Sequence, residues 1–195
     1  SKYVVLTQNK QTGSFKDVAS TAWCADAVEF ASVSGLFQGT STTTFSPNAS
    51  MTRAMLVSVL WRMEGKPAGA KSVNFSDVTA DAWYADAVNW AAANGIVGGY
   101  TAETFGPSKQ VTRQQLAAIL ARFAKYCGYD VSGTADLGKF TDQAQIGSFA
   151  KAGMAWAVNE GLISGTTSTT LVPGAVTTRA QVATILMRYQ QKAAI

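Results

Sequence analysis

The run from Trp83 to Gly99, WYADAVNWAAANGIVGG, decides the fold, because it returns twice more in the same chain. It is preceded by Phe75-x-Asp77 and followed by Phe105-x-Pro107 and Thr112-Arg113. In the first copy the corresponding residues are Phe15 and Asp17, Trp23, Phe30, Gly35 to Gly39, Phe45, Pro47 and Thr52-Arg53. In the third they are Phe140 and Asp142, Phe149, Trp156, Gly161 to Gly165, Leu171, Pro173 and Thr178-Arg179. The spacing from glycine turn to Thr-Arg is the same in all three. Self-similarity at this period signals a repeat architecture, in which no unit buries enough surface alone. The boundaries read as an N-terminal extension over 1–14 and repeats over 15–64, 75–124 and 140–190, joined by glycine-containing linkers.

Within one repeat, Trp23, Ala27, Phe30, Ala31 and Ser34 fall on one stripe at helical spacing. This predicts a first helix from about Trp23 to Ser34, stopped by a glycine able to adopt a left-handed conformation. On that stripe Trp23, Trp83, Trp90 and Trp156 read mainly as packing residues, whereas Trp61 lies off it and is a candidate for stacking on a sugar ring. The second helix is predicted to start at Thr52, Thr112 or Thr178, each a good N-cap. Gln115 and Gln181 stand where a capping box requires them, and Met55 breaks the box in the first copy. Short extended pieces are expected around Thr43 to Ser46, too short for a sheet. The expected fold class is all-α: three helix-loop-helix repeats in a pseudo-threefold bundle, with short extended loop segments, complete in one monomeric chain.

Composition narrows the function. Hydrophobic residues make up 47% of the 195, enough for a core, while charged residues are only 14%, below the roughly 25% usual for soluble domains. The net charge of +4 leans toward anionic partners, but no Lys/Arg run of nucleic-acid type exists. With no histidine, Ser-His-Asp catalysis and His-based metal sites are excluded. The acids recur as scattered single copies, which argues against a carboxylate-pair glycosidase. Cys24 and Cys127 read as two free thiols or one bridge, the former being the simpler reading. No apolar run approaches the ~20 residues of a membrane span, and no signal-peptide pattern opens the chain, so it reads as a mature or trimmed form.

The repeated polar residues carry the functional reading. Arg53, Arg113 and Arg179 occupy the first helical position, where a cation opposes the helix dipole at about 0.3–1 kcal/mol. Two readings stand: an anion pocket that joins the arginine to free helix N–H groups, or an arginine bridging to an acid or carbonyl of a neighbouring repeat. Asp17, Asp77 and Asp142, with Arg62, Arg122 and Arg188, read as internal ion pairs or caps. Asp26 and Asp86 are candidates for binding sugar hydroxyls or simply solvated charges; the third copy has Ala152 there. Gly39, Thr40, Gly99, Tyr100, Gly165 and Thr166 lie in the loop and are candidates for hydrogen bonds to a glycan, against ordinary turn chemistry. No cofactor or metal is expected.

The composite of Phe-x-Asp, Trp83 to Val88, Gly95 to Gly99, Phe-x-Pro and Val111-Thr112-Arg113 resembles the S-layer homology (SLH) domain, in all three copies. The resemblance implies an extracellular bacterial surface protein. It would be anchored non-covalently to an anionic, often pyruvylated, secondary cell-wall polysaccharide held in grooves between adjacent repeats. A pyruvate ketal carries a carboxylate, which suits the arginines. The family's Thr-Arg-Ala-Glu motif maps onto Thr52 to Met55, Thr112 to Gln115 and Thr178 to Gln181, keeping the arginine each time and the glutamate never. The alternative is a protein–protein interaction module in a surface lattice, with the arginines at its interfaces.

Overall fold

A computed structural model describes residues 15–68 and 74–193, so the expected N-terminal extension over 1–14 lies outside the described residues. Six helices follow in order: α1 (Ala25–Val33), α2 (Arg53–Met63), α3 (Ala85–Ala93), α4 (Arg113–Tyr126), α5 (Lys151–Asn159) and α6 (Arg179–Ala193). Two 3-10 turns, Gln143–Gln145 and Ser148–Ala150, lead into α5. Among the described residues no strand forms; the fold is all-α.

Local sequence sets both ends of the helices. Gly35, Gly95 and Gly161 have φ of +68°, +68° and +66°. The next amide turns back to the helix, with Leu36 N–H donating to Ala31 O, Ile96 to Ala91 and Leu162 to Ala157 at 2.8–2.9 Å. This is the Schellman closure that a left-handed glycine permits. At the second helices, Thr112 and Gln115 complete a capping box. Thr178 and Gln181 do the same, at 3.1 and 3.3 Å. Thr52 caps Met55 N–H alone, because a methionine returns no acceptor.

The first helices start later than the stripe predicts, at Ala25, Ala85 and Lys151. Trp23 and Trp83 therefore precede the helical register and are not core: they are 68% and 65% exposed. Phe149 is exposed with them. Trp90 and Trp156 are buried as expected. Alanines take the close-packing positions, with Ala27, Ala31, Ala87 and Ala91 all buried. Trp61 is half-buried against the core, and its Nε1–H donates to Pro67 O at 3.0 Å; its indole edge is engaged within the protein.

Helix partners are exchanged between repeats. α2 packs on α3, α4 on α5, and α6 on α1, so each second helix covers the first helix of the next repeat and the last pairing closes the ring. Three backbone bonds lock the centre. Met51 N–H donates to Thr177 O at 2.9 Å, Thr177 N–H to Val111 O at 2.8 Å, and Val111 N–H to Met51 O at 2.9 Å. All three residues are buried. The extended pieces lie beside this ring as single antiparallel bridges, Ser50 to Thr178, Thr52 to Gln110 and Thr112 to Val176, rather than at Thr43 to Ser46.

Both cysteines are free, Cys24 buried and Cys127 partly so. Burial, helped by the charge of Glu64, pushes the Cys127 thiol up to about 12 from its ordinary 9.0. The neutral thiol thus contributes stability that is fully present below pH 9.0 and is lost as pH rises toward about 12. Iodoacetamide at pH 8 is expected to alkylate Cys127 in the native protein at least ~100-fold more slowly than in urea. Equal rates, followed by mass spectrometry, would show the thiol to be ionised and open.

Candidate ligand groove

Each second helix begins against the loop of the following repeat, and this contact builds the site. The first two helical N–H groups donate across the junction: Arg53 to Lys109 O and Ala54 to Pro107 O, Arg113 to Ala175 O and Gln114 to Pro173 O, Arg179 to Ala49 O and Ala180 to Pro47 O, all 2.9–3.0 Å. The expectation of free helix amides waiting for an anion is corrected here. Those amides are used to join repeats, because unpaired N–H groups at a buried junction would be costly.

The arginine side chains make the same crossing. Arg179 Nε donates to Phe45 O at 2.8 Å and Nη2 to Gln38 O at 2.7 Å. Arg53 reaches Phe105 O at 2.9 Å and Gly98 O at 2.6 Å. Arg113 reaches Leu171 O and Ser164 O, both at 2.7 Å. Each guanidinium therefore staples two carbonyls of the next repeat, and the partners are carbonyls rather than acids. Arg53 and Arg179 also lie 4.6 Å from the ring centroids of Phe105 and Phe45, a cation–π contact that Leu171 cannot offer Arg113. Burial pushes all three pKa values down from the ordinary arginine value, opposed by Asp77 at Arg53, Asp142 at Arg113 and Asp17 at Arg179.

Those aspartates are loop caps, not ion-pair partners of Arg62, Arg122 and Arg188. Asp17 accepts from Phe45 and Ser46 N–H at 2.8 and 2.7 Å. Asp77 accepts from Phe105 and Gly106, and Asp142 from Leu171 and Val172. Burial raises the Asp17 pKa, but its backbone donors outweigh that and hold it below the ordinary value. Arg62 Nη1 instead donates to Leu36 O at 2.9 Å.

At the junction of repeats three and one the staple borders an open cleft of about 260 Å³. Its walls combine Arg179 from repeat three, Gly39, Thr40, Met55 and Arg62 from repeat one, and Trp83 from repeat two. Gly39 closes the turn tightly, for a Cβ there would lie 2.7 Å from the Phe15 ring and collide with Ser41 O. Thr40 Oγ1 is engaged within its own loop, 2.6 Å from Ser46 Oγ and 3.3 Å from Thr44 O. Two arginines and no carboxylate line the cleft. Their mutual repulsion is part of what lowers the Arg179 pKa. Met55, standing where an acid would occupy a Thr-Arg-Ala-Glu motif, keeps the cleft free of negative charge.

The predicted residues thus divide. Arg179, Gly39 and Thr40 meet in this cleft. Arg53 meets Tyr100, and Arg113 donates beside Gly165 and Thr166. Asp26 and Asp86 are exposed in the first turns of α1 and α3 and do not line the cleft. Arg62 and Trp83 were assigned elsewhere by sequence reasoning. The recurrence of Arg62, Arg122 and Arg188 without an acid at helical spacing was the available signal.

The sequence profile of the S-layer homology domain matches residues 14–54, 74–117 and 139–183. The chain belongs to the S-layer homology family. Among its relatives, a surface-layer 125 kDa protein of Lysinibacillus sphaericus is 32% identical over 192 residues, 96% of this SLH chain and 16% of that protein. An endoglucanase of Bacillus sp. (strain KSM-635) is 31% identical over 88% of the chain and 18% of the enzyme. A cellulosome-anchoring protein of Acetivibrio thermocellus is 27% identical over 55% of the chain and 25% of that protein. The SLH chain thus spans a quarter or less of the length of these relatives.

Proposed function

We propose that this SLH domain anchors a bacterial surface protein non-covalently, by holding an acidic, pyruvate-bearing cell-wall polysaccharide in its inter-repeat grooves. Family membership, with relatives named as surface-layer and anchoring proteins, supports the cell-surface role. The cleft at Arg179 carries the finer reading. Two guanidinium groups converge there with no carboxylate in the lining. Nε and Nη2 of Arg179 are committed to carbonyls, which leaves Nη1 for a carboxylate in a charge-assisted bond. Arg62 supplies a second positive charge. The Trp83 indole, largely exposed, offers an apolar face to a sugar ring beside the anion. Asp26 and Asp86 lie outside this set.

The domain's part is retention rather than catalysis, and the endoglucanase relative aligns over only 18% of its length. One chain closes its own ring through α6 on α1, which supports a binding unit of a single chain. The test is sedimentation of the domain with purified cell-wall polysaccharide, before and after mild acid removes the pyruvate ketals. Binding is expected before and at least ~10-fold weaker after, a loss of about 1.4 kcal/mol or more. Equal binding to both would favour the lattice-interaction reading.

A further inference from the structure

The three junctions are built alike but are not alike in one place. Thr40, Tyr100 and Thr166 are equivalent, as are Ser46, Gly106 and Val172, and Met55, Gln115 and Gln181. In repeat two the first two positions change together around one ring, and Gln115, a residue type shared with repeat three, meets that ring. The Tyr100 ring centroid lies 5.0 Å from Arg53 Cζ. Its hydroxyl accepts a hydrogen bond from Gln115 Nε2 at 3.1 Å. Beneath it, a Cβ on Gly106 would come within 3.0 Å of Tyr100 Cδ2, so a side chain of the Ser46 or Val172 kind would crowd the ring. Gly106 has φ of +72°, and the same left-handed position is occupied by Ser46 at 58° and Val172 at 50°. Glycine is therefore not demanded there by backbone conformation alone, and the Tyr100 ring, with the Lys109 side chain beside it, gives a reason for it.

We propose that Tyr100 is a shutter: its ring covers the guanidinium face of Arg53 and keeps the anion out of the junction between repeats one and two. At the Arg179 junction Thr40 is short and turned into its own loop, and the equivalent space is the open cleft. Tyr100 is held from three sides, by the Arg53 cation, the Gln115 amide and the Gly106 backbone, so an incoming carboxylate would have to displace a cation–π contact and a hydrogen bond at once. Tyr100 thereby makes a nearly symmetric ring bind unequally. The inference rests on the groove reading above.

The arginine Nε–H groups of Arg53, Arg113 and Arg179 each donate to a carbonyl, so each gives a protected NMR probe of its own junction. A ¹⁵N-labelled domain is titrated with a hexopyranoside carrying a pyruvate ketal, the unketalised sugar being the control. In the wild type Arg179 is expected to shift and saturate while Arg53 stays still. In Tyr100→Thr, Arg53 is expected to shift too, with an affinity within about tenfold of the Arg179 junction. The reciprocal variant Thr40→Tyr/Ser46→Gly is expected to silence Arg179. It tests the same idea without altering repeat two. An Arg53 response in the wild type equal to that of Arg179, or an Arg53 still silent in a folded Tyr100→Thr, overturns the shutter. A wild type in which Arg179 itself does not respond overturns the groove reading, and the shutter with it.

Discussion

Arg179→Ala is expected to lower stability by about 3 kcal/mol and to abolish binding of the acidic polysaccharide, because one side chain serves both. Hydrogen bonds from a charged donor contribute about 1.5–3 kcal/mol each, and Arg179 makes two across the junction. The Gln38 carbonyl belongs to an exposed residue, so water replaces that partner at little cost; the Phe45 bond is buried, and that carbonyl would stay unpaired. Loss of the contact with the Phe45 ring adds about 0.5–1 kcal/mol. Arg113→Ala should cost about half as much, since its bond to Leu171 O is only partly buried and Leu171 offers no ring. Arg179→Lys separates the two roles. It keeps the charge but has no fork, so one staple bond is lost while attraction for the anion survives. Urea denaturation and calorimetry on the three variants check this order. An Arg179→Ala protein with wild-type stability would remove the staple, and one with wild-type affinity would remove the anion site.

Gly153→Leu should prevent folding, with a destabilisation above about 3 kcal/mol. Gly153 stands on α5 where the other repeats carry Ala27 and Ala87, and α5 packs on α4. A Cβ at Gly153 would lie 2.8 Å from Ala118 Cα, 2.9 Å from Ala117 O and 3.0 Å from Ala118 N. These are backbone atoms of a helix, which cannot turn aside as a side chain can. Gly153→Ala sets two effects against each other. Helix propensity favours alanine by about 1 kcal/mol, whereas overpacking a close contact costs about 1–3 kcal/mol. The contact is expected to win, leaving a net loss of about 1 kcal/mol in chemical denaturation. A stabilised Gly153→Ala would mean that α5 moves away from α4 freely and that the close approach is not required.

The repeat was legible because one pattern recurs at fixed internal spacing. The helix stops at Gly35, Gly95 and Gly161, the threonine caps and the broken box at Met55 were legible because each depends on residues within one turn of one another. The positions of Trp23 and Trp83 were not. A two-residue difference in where a helix starts moves an indole from stripe to surface, and periodicity alone does not place a helix start to that accuracy. The arginine at the head of each second helix was recognisable as out of place by its dipole. Which partner resolved that conflict was not recognisable, since Phe45 O lies 134 positions from Arg179.

What this sequence determined by itself was a unit: two helices, their caps and stops, and a cation in an unfavourable place, written three times. Tertiary structure decided how the units share those parts. Helices pair between repeats instead of within them, helix amides meet neighbouring carbonyls, and Arg62, Trp83 and Arg179 from three different repeats come to line one cleft. The physical reason is that no repeat buries its own apolar face or satisfies its own helix start. Both deficits are met only across a junction, and junction geometry depends on contacts far apart in the chain.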